Sequence, residues 1–157
     1  EREKERVVES VKEVCFAEGD VVIKQGARVA GEDVDFAYMG QVVQGGAGQV
    51  PARQAALKGG IPLTVPSTAI NKACPSGLNA IALSHRQIAV GEAELCVAGG
   101  MESMSNVPYL LPKARWGQRM GDAKMIDIMV ADGLWDPYGN CHMGGYAELC
   151  ADTNRRE

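Results

Sequence analysis

The stretch STAINKACPSGLNAIALSHRQIAVGEAELCVAGGMESMSN, residues 67 to 106, contains a strand, a cysteine, a helix, a second strand and a glycine-rich turn in direct succession. The β-branched residues Val65, Thr68 and Ile70 predict a short buried strand. The strand leads into Cys74 without a long loop. Cys74 therefore lies at the centre of the segment around which the rest of the chain is organised.

A helix is predicted directly after this cysteine. Pro75 suits the first helical position, where a missing N–H has no cost, and Gly91 suits the helix end. Apolar residues recur on one side at helical spacing, which predicts the buried face of the helix. They are Leu78, Ile81, Ala82 and Ile88.

Cys74 is accordingly expected at the amino end of a helix, where unpaired backbone N–H groups and the helix dipole favour a negative charge. Such positions lower the pKa of a cysteine from about 8.5 into the range of roughly 3.5 to 7.5, so a thiolate would be the resting nucleophile. Ser76 and Gly77 leave room for a substrate carbonyl. The alternative is a small buried hydrophobic residue, as most lone cysteines are. Helix position alone leaves both interpretations open.

Two longer motifs resemble signatures of the thiolases. The residues NKACPSGLNAI, 71 to 81, resemble the nucleophile motif, and AGGMESMSN, 98 to 106, resembles the next signature at the expected distance downstream. The chain is most similar to the N-terminal half of an acetyl-CoA C-acetyltransferase, or acetoacetyl-CoA thiolase. The motif resemblance begins at residue 32 and runs to about residue 148.

This resemblance implies an acyltransferase that condenses two acetyl-CoA molecules to acetoacetyl-CoA, or runs the reverse thiolysis. Cys74 would form an acyl-enzyme with an acyl-CoA thioester, while backbone donors hold the oxyanion. The segment CHMGGYAE, residues 141 to 148, resembles the H-M-G-x-T-A-E motif, with Tyr146 in place of the threonine. His142 and Met143 are carried over as residues lining the acyl and pantetheine end of the pocket, and Leu134 as a further coenzyme A contact. The resemblance further implies a homo-oligomer, and neither a metal nor a cofactor besides the coenzyme A thioester substrate.

Several motifs that the family requires do not occur in the chain. They are the G-H-P motif with the activating histidine, the C-x-G-G-G motif with the second cysteine, the N-E-A-F motif and the R-T-P motif of the first strand. A nucleophile without its base loses most of its catalytic power. We therefore expect a thiolase fragment that does not turn over fully alone. The alternative is a catalytically inactive thiolase-like domain that binds coenzyme A or pairs with a full-length subunit.

Length and composition limit the other classes of function. A chain of 157 residues, 46% of them hydrophobic, can bury one core, and a net charge of −4 gives no basis for nucleic-acid binding. No apolar run approaches the ~20 residues that span a bilayer. The five cysteines form no CxxC pair and no metal set with the two histidines, which favours reduced thiols in an intracellular, cytoplasmic or organellar-matrix protein.

The patterns divide the chain into three segments within an α/β fold, a thiolase-like layered αβα half-fold around a mixed sheet. Residues 1–31 hold an amphipathic helix and a short strand of uncertain relation to the rest. Their FAEGDVVIKQG, 16 to 26, faintly resembles the entry to a cyclic-nucleotide-binding domain, but that family's phosphate-binding cassette is absent, so we predict no nucleotide binding. Residues 32–106 form the thiolase N-terminal core with the nucleophile. Residues 107–157 begin a truncated loop domain for coenzyme A, with a short helix around residues 124–132.

Other residues receive more ordinary interpretations. Pro51 is expected in the first turn of a helix that follows a glycine-rich turn. Arg53 is interpreted as a packing or dimer contact, and Cys96 as inert core within a strand. The strand that contains Cys96 is followed by Met101, Met104 and Asn106. These three residues either line the site or pack beside it. Three cations, Lys113, Arg115 and Arg119, suit a nucleotide phosphate by charge, although surface cations are the default interpretation.

Overall fold

A computed structural model describes residues 31–155, so the helix and strand predicted within residues 1–30 lie outside the described part. The first half holds three strands and two helices: β1 (Phe36–Gly40), α1 (Pro51–Lys58), β2 (Ser67–Ile70), α2 (Ser76–Ala89) and β3 (Cys96–Gly100). The second half holds four two-residue strands, a π-helix at Met129–Leu134, and α3 (Met143–Asn154). These strands are β4 (Tyr109–Leu110), β5 (Ile126–Asp127), β6 (Trp135–Asp136) and β7 (Cys141–His142).

The three longer strands form a parallel sheet in the order β2, β1, β3. In this register Tyr38 of β1 lies between Thr68 of β2 and Ala98 of β3. Because the strands are parallel, their carboxyl ends meet at one edge. The predicted α/β class is confirmed, and antiparallel pairing among the described strands is confined to the short ribbons β4–β5 and β6–β7.

The two helices cover opposite faces of this sheet, because successive side chains of a strand point to opposite sides. Ala37 of β1 belongs to a buried cluster with Ala56 of α1. On the other face, the hydroxyl oxygen of Tyr38 accepts a hydrogen bond of 3.3 Å from Gln87 of α2. The layered αβα arrangement expected from the sequence is therefore present.

The buried face of α2 differs from the predicted apolar stripe. Its buried residues are Ser76, Ala80 and Ser84, whereas Leu78 is 66% exposed. The reason is the short distance between the helix and the sheet: a Cβ built on Gly40 would lie 2.3 Å from the carbonyl carbon of Ser76. Only small side chains fit at that separation, so residue size decides which face is buried.

Both ends of α2 are well defined. The helix begins at Ser76, so Pro75 occupies the N-cap and not the first helical position that was predicted. At the other end Gly91 has φ 78°, as its predicted role requires. The amide of Gly91 donates to Ile88 and that of Glu92 to Gln87, both at 3.0 Å, which is the Schellman arrangement.

The helix α1 confirms the prediction from the glycine-rich turn. Pro51 is its first residue, and Ala52 and Ala56 are buried. The guanidinium of Arg53 donates to the carbonyls of Val65 and Leu63, which precede β2. Arg53 therefore has the packing role that was one of its two interpretations.

The short helix predicted around residues 124–132 is wrong. The first part of this range contains β5, which pairs with β4. The π-helix begins only at Met129. The Asp127 side chain accepts a hydrogen bond of 2.9 Å from the Met129 amide, which separates the two elements. Ile128, between them, is 3% exposed. Strand pairing and burial thus override local helix propensity. Across residues 31–155 no helix has the length and apolar character needed to cross a bilayer.

Candidate active site

Three loops lie side by side at the carboxyl edge of the parallel sheet. They comprise residues 41–44 after β1, residues 71–75 after β2 and residues 101–106 after β3. Ligands of open α/β sheets bind at such edges, outside the carboxyl ends of the strands. Cys74 is in the middle loop, and its side chain is exposed. The alternative interpretation of Cys74 as a buried hydrophobic residue is therefore wrong.

The turn that carries Cys74 is held by its own side chains. Ala73 has φ 50°, a left-handed conformation that is unfavourable for a residue with a Cβ. The Asn71 oxygen accepts from the Ala73 amide at 3.0 Å, and the Ser76 hydroxyl oxygen accepts from the Lys72 amide at 2.8 Å. The Ser76 hydroxyl in turn donates to the Ala73 carbonyl. These bonds fold the chain sharply before α2 and leave Cys74 two residues from its first residue.

The position of Cys74 next to the helix has a direct electrostatic meaning. Backbone amides at the start of a helix point away from its body, and the helix dipole places partial positive charge there. The oxyanion formed when a sulfur attacks a carbonyl is favoured at such a point. The location predicted for Cys74 is confirmed, and its role as nucleophile stays a prediction.

A carboxylate that the sequence reasoning missed holds the neighbouring loop. Glu102 accepts hydrogen bonds from the backbone amides of Val42 at 2.8 Å and Val43 at 3.3 Å. The Asn71 side-chain nitrogen donates to the Val42 carbonyl at 3.0 Å. Residue 42 is thus bound from both sides by the two loops that flank it. The available signal was an acidic residue two positions after the end of the strand, within the second thiolase-like motif.

The other residues of the loop after β3 have separate positions. The Met101 amide donates to the Gly40 carbonyl at 2.9 Å and continues the sheet by one bond. Met104 is exposed, and the Asn106 side chain donates to the Ser103 hydroxyl at 2.8 Å. A Cβ built on Gly100 would lie 3.3 Å from the Gly77 Cα. The backbone at Gly100 therefore passes close to the segment that follows Cys74.

Cys96 has the opposite environment to Cys74. It is 8% exposed within β3, and burial together with the nearby Asp35 carboxylate raises the pKa of its thiol. Asp35 itself accepts hydrogen bonds from the amides of Leu95 at 3.0 Å and Glu94 at 2.7 Å, which lower the pKa of its carboxyl. A buried thiol with a raised pKa is protonated and unreactive at neutral pH. The buried position predicted for Cys96 is confirmed.

The three residues predicted to contact coenzyme A lie on or directly beside the hairpin formed by β6 and β7. Leu134 is the last residue of the π-helix, His142 ends β7, and Met143 is the first residue of α3. His142 is exposed, and its Nδ1 accepts a hydrogen bond of 2.9 Å from the Gly144 amide. Met143 is 42% exposed. Both side chains are therefore accessible to a ligand.

The hairpin is joined to the sheet edge through the π-helix and not through a hydrogen bond to Cys74. A Cβ built on Gly133, next to Leu134, would lie 3.4 Å from a methyl group of Val43, whose amide Glu102 holds. The hydrogen bonds formed by residues 31–155 include none between His142 or Met143 and the turn of Cys74. The structure thus places Gly133, near the end of the π-helix, beside the loop after β1.

Two further observations concern charged groups. The three cations predicted to suit a phosphate, Lys113, Arg115 and Arg119, are all exposed, and their role stays a prediction. In the described part of the chain, no three His, Cys, Asp or Glu side chains lie close enough together to hold a metal ion.

A comparison with protein families matches residues 10–155 to the family described as thiolase, N-terminal domain. The chain belongs to the thiolase family. The match starts at residue 10 and so includes part of the segment in which the thiolase motifs themselves are not visible. From there it continues through every described element of this thiolase chain.

The thiolase chain is also similar to curated proteins named acetyl-CoA acetyltransferase. It is 53% identical to one from Cupriavidus necator over 136 residues, which are 85% of this chain and 35% of the relative. It is 49% identical to one from Pseudomonas aeruginosa over 137 residues, again 85% of this chain and 35% of the relative. A relative from Gibberella zeae, named as cytosolic, is 47% identical over 139 residues, 87% of this chain and 35% of its own length. The chain therefore spans about a third of the length of these relatives.

Proposed function

We propose that Cys74 is the acyl-accepting nucleophile of a thiolase-type acyltransferase that acts on acetyl-CoA and acetoacetyl-CoA. The observation that carries this proposal is the exposed sulfur at the amino end of α2, on the carboxyl edge of a parallel sheet. The substrate class follows from the relatives, whose printed names are acetyl-CoA acetyltransferase. The reaction is a condensation of two acetyl-CoA molecules or the reverse thiolysis.

In the first step the Cys74 thiolate attacks the thioester carbonyl carbon of acetyl-CoA. The carbon–sulfur bond to Cys74 forms, the bond to coenzyme A breaks, and coenzyme A leaves as a thiolate that takes up a proton. The tetrahedral oxyanion between these events is stabilised by backbone amides, for which the start of α2 is suitably placed. In the second step a general base takes a proton from the methyl group of another acetyl-CoA, and the resulting carbanion attacks the acyl carbon. The carbon–carbon bond forms, the bond to Cys74 breaks and the sulfur leaves as a thiolate. The motifs expected to supply this base do not occur in the chain, so only the first step is proposed for this chain alone.

The hairpin residues are proposed to hold the pantetheine end of the substrate. The His142 Nδ1 accepts the Gly144 amide hydrogen, so in the neutral ring the proton lies on Nε2. His142 can therefore donate a hydrogen bond from Nε2 to a substrate carbonyl. Met143 and Leu134 supply accessible apolar surface beside it. We propose no metal or cofactor for this chemistry, because the substrate itself carries the activated acyl group.

Assembly and location are proposed at the same level. A homo-oligomer is proposed on the thiolase resemblance, with coenzyme A thioesters as the only other partner. An intracellular location is supported by reduced cysteines among the described residues and by the relative named as cytosolic. Neither a nucleic acid nor a membrane is proposed as a partner.

Acetylation of the chain by acetyl-CoA tests the first step directly. The purified protein is incubated with acetyl-CoA, digested at acidic pH and mapped by mass spectrometry. We expect one acetyl group on Cys74 and none in Cys74→Ala. The matched control is Cys150→Ala, which removes another exposed thiol and should leave acetylation unchanged. Acetylation of Cys150 at the same rate as Cys74 would contradict the proposal.

Thermal-shift titration with coenzyme A separates the acyltransferase from a domain that only binds. A binding domain is stabilised by coenzyme A whether or not Cys74 is present. Stabilisation of both the wild type and Cys74→Ala, with no acetyl group transferred to either, would favour the inactive coenzyme A-binding alternative. Stabilisation together with acetylation of Cys74 supports the acyltransferase.

A further inference from the structure

The carboxylate of Asp136, at the end of β6, accepts three hydrogen bonds. Its Oδ1 accepts from the Tyr138 amide at 3.1 Å, and its Oδ2 from the Gly139 amide at 2.9 Å. The third donor is the hydroxyl of Tyr146, in the first turns of α3, which lies 2.8 Å from Oδ2. One side chain thus ties the turn between β6 and β7 to the helix that follows β7.

Tyr146 and Gly139 fit each other sterically. A Cβ built on Gly139 would lie 1.7 Å from the Tyr146 hydroxyl oxygen, which is far inside van der Waals contact. Any other residue at 139 would displace the tyrosine. Tyr146 stands where the thiolase motif that this segment resembles has a threonine, so this contact depends on a residue in which the chain departs from the motif.

The charge arrangement keeps the tyrosine a donor. The Asp136 hydrogen bond, followed by one to Cys141, raises the pKa of Tyr146 well above its ordinary value. The same hydrogen bond, with those from the Gly139 and Tyr138 amides, lowers the pKa of Asp136. The pair therefore stays a neutral phenol hydrogen bonded to a carboxylate across the neutral pH range.

These contacts hold His142 through its backbone and its Nδ1, while its side chain stays exposed. Its backbone pairs with Trp135 of β6, next to the pairing of Asp136 with Cys141. Its side chain caps α3 through the Gly144 amide, two residues before Tyr146. The hydrogen bond between Tyr146 and Asp136 connects α3 to β6. It therefore links the helix that the His142 side chain caps to the strand that pairs with the His142 backbone.

We propose that Tyr146, seated against Gly139 and hydrogen bonded to Asp136, is a positioning residue that fixes the ring orientation of His142 in the coenzyme A pocket. The proposal rests on the proposed function, in which the His142 Nε2–H faces the substrate. Tyr146 acts through His142 and not on the reacting atoms. Gly139 and Tyr146 form a matched pair, so changes at the two positions should not be additive.

The first test is the tautomer of His142, read from its ring nitrogen chemical shifts by NMR at pH 8, with His85→Gln used to assign the two histidines. The wild type should show an unprotonated Nδ1 and a protonated Nε2. Tyr146→Phe, which keeps the ring and removes the hydroxyl, should give shifts averaged between the two tautomers. Tyr109→Phe removes a hydroxyl from β4 and should leave the spectrum unchanged. Identical wild-type and Tyr146→Phe shifts would overturn the proposal.

A double-mutant cycle tests the fit between the two residues in the same spectrum. Gly139→Ala in the wild type should average the His142 shifts as Tyr146→Phe does. Gly139→Ala added to Tyr146→Thr, which restores the residue of the motif and removes the hydroxyl 1.7 Å from the Cβ, should cause a smaller further change, because the Asp136 Oδ2 still lies 2.8 Å from that Cβ. An equal effect of Gly139→Ala in both backgrounds would show that Tyr146 is not its steric partner and would overturn the pairing.

Coenzyme A titration connects the arrangement to binding. Tyr146→Phe should raise the Kd for coenzyme A by about threefold to tenfold, which is the loss of affinity expected when one hydrogen bond is misplaced. If the wild type does not bind coenzyme A, the proposed function fails and the NMR result alone decides the role of Tyr146. If Tyr146→Phe averages the His142 shifts but binds coenzyme A with an unchanged Kd, the positioning role for the pocket is overturned.

Discussion

The Asn71 side-chain oxygen lies 3.0 Å from the backbone nitrogen of Ala73, the left-handed residue that directly precedes Cys74. The nitrogen of the same amide lies 3.0 Å from the Val42 carbonyl at the end of the neighbouring strand. One side chain therefore holds the turn before Cys74 in an unfavourable conformation and also fastens that turn to the sheet edge. A left-handed alanine costs roughly 1 kcal/mol, so it requires such support.

Replacing this side chain should weaken the turn. Asn71→Ala removes both hydrogen bonds, and because they are solvent-exposed we expect the free energy of unfolding to fall by about 1 kcal/mol, measured by urea denaturation. Alkylation of Cys74 should become slower relative to Cys150, because the sulfur leaves the start of α2. Asn71→Asp keeps the acceptor for the Ala73 amide, so its free energy of unfolding should fall by less than that of Asn71→Ala. Equal stability and alkylation in Asn71→Ala and wild type would refute the role of this amide.

The cysteines should differ in reactivity in a defined order. Cys74 and Cys150 are both exposed, but only Cys74 lies at the start of a helix, so iodoacetamide at pH 7 should modify Cys74 several-fold faster. Cys96 is buried with a raised pKa and should react only after unfolding. Peptide mapping over a time course measures all three. Cys150 thus controls for exposure, and modification of Cys74 no faster than Cys150 would remove the case for an activated sulfur.

Gly40 should tolerate no side chain. Gly40→Ala places a Cβ 2.3 Å from the Ser76 carbonyl carbon and 2.4 Å from the Gly77 nitrogen, both main-chain atoms that cannot rotate away. We expect a loss of about 3 kcal/mol in the free energy of unfolding, at the upper end for overpacking.

Gly145→Ala is the matched control for this substitution. A Cβ at Gly145 in α3 meets nothing within 4 Å, so the change should be neutral or stabilise by up to about 1 kcal/mol through helix propensity. Urea midpoints of the two variants compare them directly. A Gly40→Ala protein as stable as the wild type would show that α2 can move away from the sheet without cost.

The carboxylate of Asp35 should make stability depend on pH. Its pKa is lowered in the folded chain, so its contribution is complete above the unfolded value of about 3.9 and is lost as pH falls through the folded value. Asp35→Asn should therefore be less stable than the wild type at pH 7, and the difference should narrow below about pH 4. Urea midpoints between pH 7 and pH 3 measure it. Asp152→Asn changes an exposed residue of α3, and its urea midpoint should differ from that of the wild type by the same amount at every pH. A difference between Asp35→Asn and the wild type that does not change with pH would contradict the prediction.

The arrangement around Cys74 could be predicted because it depends on local signals. β-branched residues before Cys74, a proline after it and a glycine at 91 specify strand, turn and helix over a short distance. The helix layers follow from that order, whereas the sequence predicted a mixed sheet and the strands β2, β1 and β3 are all parallel. The thiolase motifs named Cys74 as the nucleophile, and the structure adds that its side chain is exposed.

What could not be predicted depends on contacts between distant residues. The buried face of α2 is set by Gly40, about forty positions upstream of the helix's middle, and hydrophobicity alone selected the wrong stripe. Glu102 is bound to amides 59 and 60 positions away. The strand β5 exists only because β4 pairs with it. Patterns within a short window contain no information on such pairings.

The backbones of Gly77 and Gly100 are in direct contact, with no side chain between them. The distance between the Cys74 sulfur and the sheet is therefore set by main-chain packing. Apolar residues elsewhere in the interior can then be replaced by larger or smaller ones without moving the Cys74 thiol relative to the sheet. Substitutions in the core should accordingly alter the melting temperature long before they alter the position of the Cys74 sulfur.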